Sequence, residues 1–174
     1  EKEILGLIGP NGAGKTTVFN VITGVYQVTS GDINFLGKSL KSKKRYKITK
    51  GGIARTFQNI RLWGDMTALE NVITATDTHK KSGLLSGLFG MPISRKEEKS
   101  DTARAQEILD FIGIGEYADR LAKNLPYGVQ RRLEIARALG TNPKLLLLDE
   151  PAAGFNPAEK IELAQTIRKI RDAG

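Results

Sequence analysis

Two rhythms of apolar and polar positions run along this chain. The first apolar run, Ile4-Leu5-Gly6-Leu7-Ile8, has strand length, and a glycine-rich turn follows it. Val18, Phe19, Val21 and Ile22 then fall at helical spacing and stop at Gly24, which predicts a strand, a loop and a helix in that order. After the turn cluster Thr29-Ser30-Gly31-Asp32, the alternation in Ile33-Asn34-Phe35-Leu36-Gly37 predicts a half-buried strand, and Ile53 to Gln58 predicts another after Gly51-Gly52. From about Asn59 to Asn124 the pattern turns helical, with Ala105, Ile108, Leu109 and Ile112 on one stripe ended by Gly113 and Gly115. Val129, Leu133, Ala136 and Leu139 form a second stripe. Lys144 to Asp149 holds a short continuous apolar run of the kind that suits a parallel strand covered on both faces. A last helix is expected from about Ala158 to Asp172.

The first turn carries the most specific chemistry. Gly9-Pro10-Asn11-Gly12-Ala13-Gly14-Lys15-Thr16-Thr17 fits the phosphate-loop pattern G-x-x-x-x-G-K-[ST] at every fixed position, between a predicted strand and a predicted helix. Glycines let successive backbone N–H groups wrap a compact polyanion, and the helix N-terminus adds its positive dipole end. Lys15 brings a full charge to the β- and γ-phosphates, and the Thr16 hydroxyl is a Mg²⁺ ligand candidate. A glycine-rich turn with a chance lysine is the plain alternative; the flanking strand and helix weigh against it.

The apolar run Leu145 to Leu148 ends in Asp149-Glu150-Pro151. A strand ending in two carboxylates beside a phosphate loop reads as a Walker B element. Asp149 would hold Mg²⁺ through water, and Glu150 would act as general base on the water that attacks the γ-phosphate. Gln58, closing the strand between these motifs, is placed to reach the metal or that water. Asn124-Leu125-Pro126-Tyr127-Gly128-Val129-Gln130-Arg131-Arg132 puts a glycine at a helix start, which makes either an anion site or an ordinary cap.

Composition changes this picture little. The 174 residues suit one sizeable core, or one core with an inserted subdomain. The net charge of +8 suits nucleic acid, an anionic membrane surface or a nucleotide. Cysteine is absent and histidine occurs once, which excludes disulfides, thiolate metal sites and histidine clusters. No apolar run approaches the roughly 20 residues that span a bilayer, and no signal peptide is visible, so a soluble protein of a reducing compartment is expected. The chain starts almost at once on a strand and ends where a helix closes; both ends read as trimmed.

The order of these motifs resembles the ATPase domain of ABC transporters over essentially the whole chain: Walker A at Gly9 to Thr17, the Q-loop glutamine at Gln58, the signature at Leu125 to Gln130, Walker B at Asp149-Glu150, and the D-loop at Ala153 to Pro157. The motif sequences, with Ala54 to Gln58, Gln130 to Arg137 and Asp149 to Gly154, are similar to those of the LivG-type ATP-binding subunits of branched-chain amino acid importers, and Gly83 to Pro92 looks like an insertion of that type. The resemblance implies an α/β fold: a P-loop NTPase (RecA-like) core with a mainly parallel sheet at 1–58 and 125–174, a small antiparallel part near 31–37, and an α-helical subdomain at 59–124. It implies ATP and Mg²⁺ as cofactors, with Lys15, Gln58 and Glu150 catalytic and Thr16, Gln58 and Asp149 around the metal. Leu125, Tyr127, Gly128 and Gln130 would contact the nucleotide of a second ABC ATPase subunit in trans. Membrane permease subunits are the further partners, with a periplasmic binding protein acting indirectly, at the cytoplasmic face of the inner membrane. Arg61, Leu62, Trp63 and Met66 are candidates to receive the permease.

Some positions depart from the family pattern. Pro126 stands where serine is usual, which puts the trans contact to the γ-phosphate in doubt and suggests two unequal sites. Asn156 stands where the D-loop usually has aspartate. The adenine-stacking aromatic would precede Glu1 and the switch histidine would follow Gly174; His79 is no substitute and is expected to be exposed. Slow turnover by this stretch alone follows. Three other readings stand beside the importer motor: a lipopolysaccharide-export ATPase with similar motifs, a soluble ABC ATPase acting on nucleic acid or ribosomes, and a kinase or GTPase. The lysines between Lys41 and Lys50 have few aromatics among them for stacking bases, which disfavours nucleic acid. The signature helix and Glu150 argue against the kinase or GTPase.

Overall fold

The computed structural model describes the backbone of residues 2–76 and 92–174, and side chains except those of residues 92–99. The helix α1 (Lys15–Ile22) follows the glycine turn and ends at Thr23, with Gly24 at φ 69°. A hairpin joins β1 (Asn34–Phe35) to β2 (Lys38–Ser39), antiparallel. The short helix α2 (Arg45–Lys50) leads into β3 (Ile53–Arg55). Next come α3 (Ala68–Thr76), α4 (Pro92–Ile112), single 3₁₀ turns at Gly115–Tyr117 and Ala122–Asn124, and α5 (Tyr127–Gly140). The chain closes with β4 (Leu145–Leu147) and α6 (Pro157–Ala173).

The strands β3 and β4 pair in parallel, Ile53 with Leu145 and Arg55 with Leu147, so the ends of both strands point to one edge. Thr56 N–H extends that pairing to Leu147 O at 2.9 Å. The two apolar stripes read from the sequence meet. Leu109 and Ala105 of α4, Val72 of α3, and Leu133 and Ala136 of α5 are all 0% exposed in one core. That core also takes in Leu125, Phe155 and Leu163, so it runs across the boundary drawn at 124/125. A smaller core under β3 and β4 holds Leu40, Ile48, Ile53 and Leu147.

Two expected strands take a different form. Ile4 to Ile8 forms no strand: residues 2–10 have no sheet partner, and Leu5 is 83% exposed. An apolar run fixes side-chain preference, but a strand needs a neighbouring backbone to receive its N–H and C=O groups. No such neighbour lies beside it among the described residues. The expected strand Ile33 to Gly37 is only its first half. Leu36 (φ 49°) and Gly37 (φ 72°) both adopt positive φ and reverse the chain, as a two-residue hairpin turn requires. His79 and the insertion from Gly83 up to Met91 lie outside the described residues. No described helix is long and apolar enough to cross a membrane.

Candidate functional site

The glycine loop is shaped by backbone that only glycine adopts readily. Gly12 and Gly14 sit at φ 83° and 87°, and Gly14 caps α1 without a side chain. Ala13 N–H donates to Pro10 O at 3.2 Å and Val18 N–H to Gly14 O at 2.9 Å, closing the turn onto the helix. Lys15 folds back over it: its ammonium donates to Gly9 O at 2.6 Å and Pro10 O at 2.8 Å. Asn11, Thr16 and Thr17 complete the loop. Thr16 lines a cavity of about 600 Å³ together with Gln58 and Asp149. The strand expected to run to Gln58 ends at Arg55, and the structure brings the Thr16 hydroxyl, the glutamine three residues past β3 and the Walker B aspartate to one space.

Arg55, to which the motifs give no role, organises that space. Its guanidinium donates to Asp149 Oδ2 at 2.8 Å and to Asn20 Oδ1 at 2.7 Å, and both members of the ion pair are nearly buried. It also stacks between Phe19 and Phe57, 5.5 and 5.1 Å from the ring centres. One side chain on β3 thus joins α1, the end of β4 and the residue before Gln58. Its partner Asp149 lies 94 positions away, so spacing gave no signal of it.

Gln58 Nε2 donates to Glu150 Oε2 at 3.1 Å, which pairs the predicted general base with the Q-loop glutamine. Glu150 holds a left-handed backbone, φ 47°. The Thr16 hydroxyl, the Asp149 carboxylate and the Gln58 amide oxygen could serve a metal in this space, since they are hard oxygen donors of the kind Mg²⁺ takes alongside phosphate oxygens. No group of three carboxylate, histidine or cysteine side chains that could hold a metal occurs among the described residues. The side chains thus suit an ion carried in with phosphates better than one caged by protein alone.

The signature residues lie at the start of α5. Pro126 caps α5, its carbonyl accepting from Val129 and Gln130 N–H at 2.9 Å each. Leu125 is buried in the larger core. Gln130 Nε2 donates to Leu125 O at 2.9 Å. Tyr127 OH, half-exposed, donates to Ala153 O at 3.1 Å. Gly128 is buried where a side chain would press on Glu159, a Cβ there falling 3.0 Å from Oε1. None of these hydrogen bonds reaches residues 9–17. Asn156 has an evident structural role, because it forms a reciprocal capping box with Glu159 at the start of α6.

The segment after Gln58 presents an outward face. Trp63 is 59% exposed and so is not a core residue; Met66 is partly exposed, while Leu62 packs on the larger core. Arg61 stacks on Phe57 at 4.3 Å. Asn71, fully buried, fixes this loop by accepting from Trp63 N–H at 2.9 Å and donating to Trp63 O at 3.0 Å and Thr67 O at 2.9 Å.

A glycine loop leading into a helix, with a parallel strand ending in paired carboxylates beside it, defines a P-loop nucleotide-binding domain. The family model for the ABC transporter matches residues 1–153, and the chain belongs to that family. It is 47% identical over 171 residues to the high-affinity branched-chain amino acid transport ATP-binding protein BraF of Pseudomonas aeruginosa, covering 98% of this chain and 67% of that one. It is 48% identical over 171 residues to the corresponding protein LivG of Escherichia coli, again 98% and 67%. Among solved structures it matches the ADP conformation of an ATP-binding cassette of an ABC transporter. That match has a TM-score of 0.78 at 35% identity and covers 96% of this chain and 65% of that one. The chain thus spans about two thirds of the length of these proteins.

Proposed function

We propose that this chain binds and hydrolyses ATP as the motor subunit of an importer for branched-chain amino acids. The observation that carries the hydrolytic reading is the Gln58–Glu150 pair just past the ends of two parallel strands, beside the cavity that Thr16 and Asp149 line. The substrate class is supported by the names of BraF and LivG.

In this reading the nucleotide-binding core is 1–58 with 125–174, and 59–124 is the helical subdomain. Residues Gly9 to Thr17 bind the phosphates. The Lys15 ammonium exchanges its two neutral carbonyl acceptors, Gly9 O and Pro10 O, for charged phosphate oxygens, which form the stronger charge-assisted bonds. Thr16, Asp149 and Gln58 would hold Mg²⁺, whose charge neutralises the phosphate oxygens when it is bound. Glu150 takes the proton of the attacking water, and Gln58 orients both. Arg55 aims the Asp149 carboxylate from the far side. Leu125, Tyr127, Gly128 and Gln130 serve the nucleotide of a second ATPase subunit, and Trp63 and Met66 face the permease. A periplasmic binding protein delivers substrate on the other side, which puts this subunit on the cytoplasmic face of the inner membrane.

The test is Glu150→Gln in the full-length protein. ATP binding is retained and steady-state hydrolysis falls by about 10²–10⁴-fold, the usual contribution of a positioned base. Unchanged hydrolysis removes Glu150 from this role. For the substrate, uptake of labelled leucine by cells carrying the complex should depend on this chain.

A further inference from the structure

The cavity that Thr16, Gln58 and Asp149 share is short of negative charge. Asp149 is the one carboxylate among the residues that line it, against three arginines, Arg45, Arg55 and Arg61. That carboxylate is also not free. Arg55 donates to its Oδ2 at 2.8 Å, and the two side chains are 5% and 10% exposed. Its other oxygen, Oδ1, takes no hydrogen bond from a described residue. The guanidinium is held firmly where it stands. Asn20 Oδ1 accepts a second bond from it at 2.7 Å, and the ring centres of Phe19 and Phe57 lie 5.5 and 5.1 Å away. The Arg55 Nε–H is buried and finds no partner among the described residues. A donor left unsatisfied in this way marks a side chain placed for its other contacts, and the strongest of those here is the charge-assisted bond to Asp149.

A divalent cation entering this space alone meets a carboxylate whose charge is already matched and a wall of arginines. Like charges confined to one part-buried space repel. Entering with a nucleotide, the same cation brings phosphate oxygens that supply the missing negative charge. We propose that Arg55 is a positioning residue that sets the affinity of the metal site: it ties up Oδ2 and neutralises Asp149, so that the space takes a divalent cation together with phosphate and not by itself. Outer partners of a ligating group change metal affinity by about 10–100-fold, and Arg55 stands in that relation to Asp149. The inference rests on the proposed role of Asp149 at the metal.

The test is binding of Mn²⁺, a hard cation that oxygen ligands accept in place of Mg²⁺, counted by electron paramagnetic resonance in the full-length protein with and without ADP. The wild-type protein should bind Mn²⁺ tightly only with ADP. Arg55→Gln should bind it about 10–100-fold more tightly than wild type without ADP, so that ADP adds correspondingly less. Arg55→Lys keeps the charge and should retain the wild-type dependence on ADP; a lysine variant that behaves like the glutamine one overturns the proposal. A merely structural Arg55 would lower affinity in both conditions, and that outcome, or no change, also overturns it. Asp149→Asn added to Arg55→Gln should abolish the nucleotide-free binding; if that binding survives, the ion sits elsewhere and the proposal falls. Asp149→Asn alone tests the reading beneath it. Unchanged Mn²⁺ binding with ADP overturns the metal role of Asp149 and the proposal with it, whereas weakened binding there beside an unaltered Arg55→Gln overturns the proposal alone. If Arg55→Gln does not fold, Arg55→Met keeps a stem between the two rings and drops the charge, and the same outcomes decide.

Discussion

The helix that follows the phosphate loop and the helix that follows the signature are built to opposite standards. No residue of α1 is buried, whereas nine of the fourteen residues of α5 are, Leu133 and Ala136 completely. The element that carries the more specific motif has the weaker packing. Its position is set at one face, by Arg55 reaching Asn20 and Phe19 and by Phe19 and Ile22 packing, partly buried, on the smaller core. The signature helix is the reverse: α3 and α4 pack against it, and its polar residues hold other loops in turn. Nucleotide chemistry and mechanical rigidity are thus assigned to different helices.

Breaking the link between the two regions should show this most clearly. Arg55→Ala leaves Asp149 buried without its partner, and loss of one member of a buried pair costs about 3–5 kcal/mol. Amide exchange should accelerate in α1 and at the β3–β4 edge well before it does in α5; uniform acceleration would show that the halves are one cooperative unit. Leu133→Ala attacks the other side and should cost about 2–5 kcal/mol in denaturant unfolding through the cavity it leaves. Val18→Ala, on the exposed face of α1, should change stability by no more than about 0.5 kcal/mol, and a larger loss would mean that α1 is better packed than its surface indicates.

The smallest effect sharpens the periphery. The Ser39 hydroxyl donates to Asp32 at 2.6 Å and, with Ile33 N–H and the charge of Lys41, holds that carboxyl below its ordinary value. The carboxylate's contribution is therefore present above the unfolded value and is lost as pH falls through the lowered one. Ser39→Ala should bring the Asp32 titration, followed by NMR, back toward the ordinary range without altering the core.

What the sequence made legible follows the same division. Local signals were reliable: Gly24 ends α1, and the two apolar stripes of α4 and α5 meet in the core as their spacing required. The start of α6 also follows local chemistry, with Asn156, Pro157 and Glu159 forming its cap. Long-range polar chemistry was not legible. Nothing near Arg55 in the chain points to Asp149, and nothing near Arg131 points to the carbonyls of Phe57 and Gln58. The run Ile4 to Ile8 failed for a related reason, since apolar residues do not reveal whether a partner backbone lies beside them. At Leu36 the alternation breaks, one apolar residue following another, and that break marks the turn that Leu36 and Gly37 make.

The backbone of Glu150 carries one more consequence. A residue other than glycine at φ 47° holds a conformation that costs of order 1–3 kcal/mol. Glycine, asparagine and aspartate adopt it more readily. The most comfortable residues for that turn thus either lack a carboxylate or carry it on a shorter arm than glutamate's. At this position fitness for folding and fitness for turnover pull in opposite directions, and a screen for thermal stability alone would drift toward an inert protein.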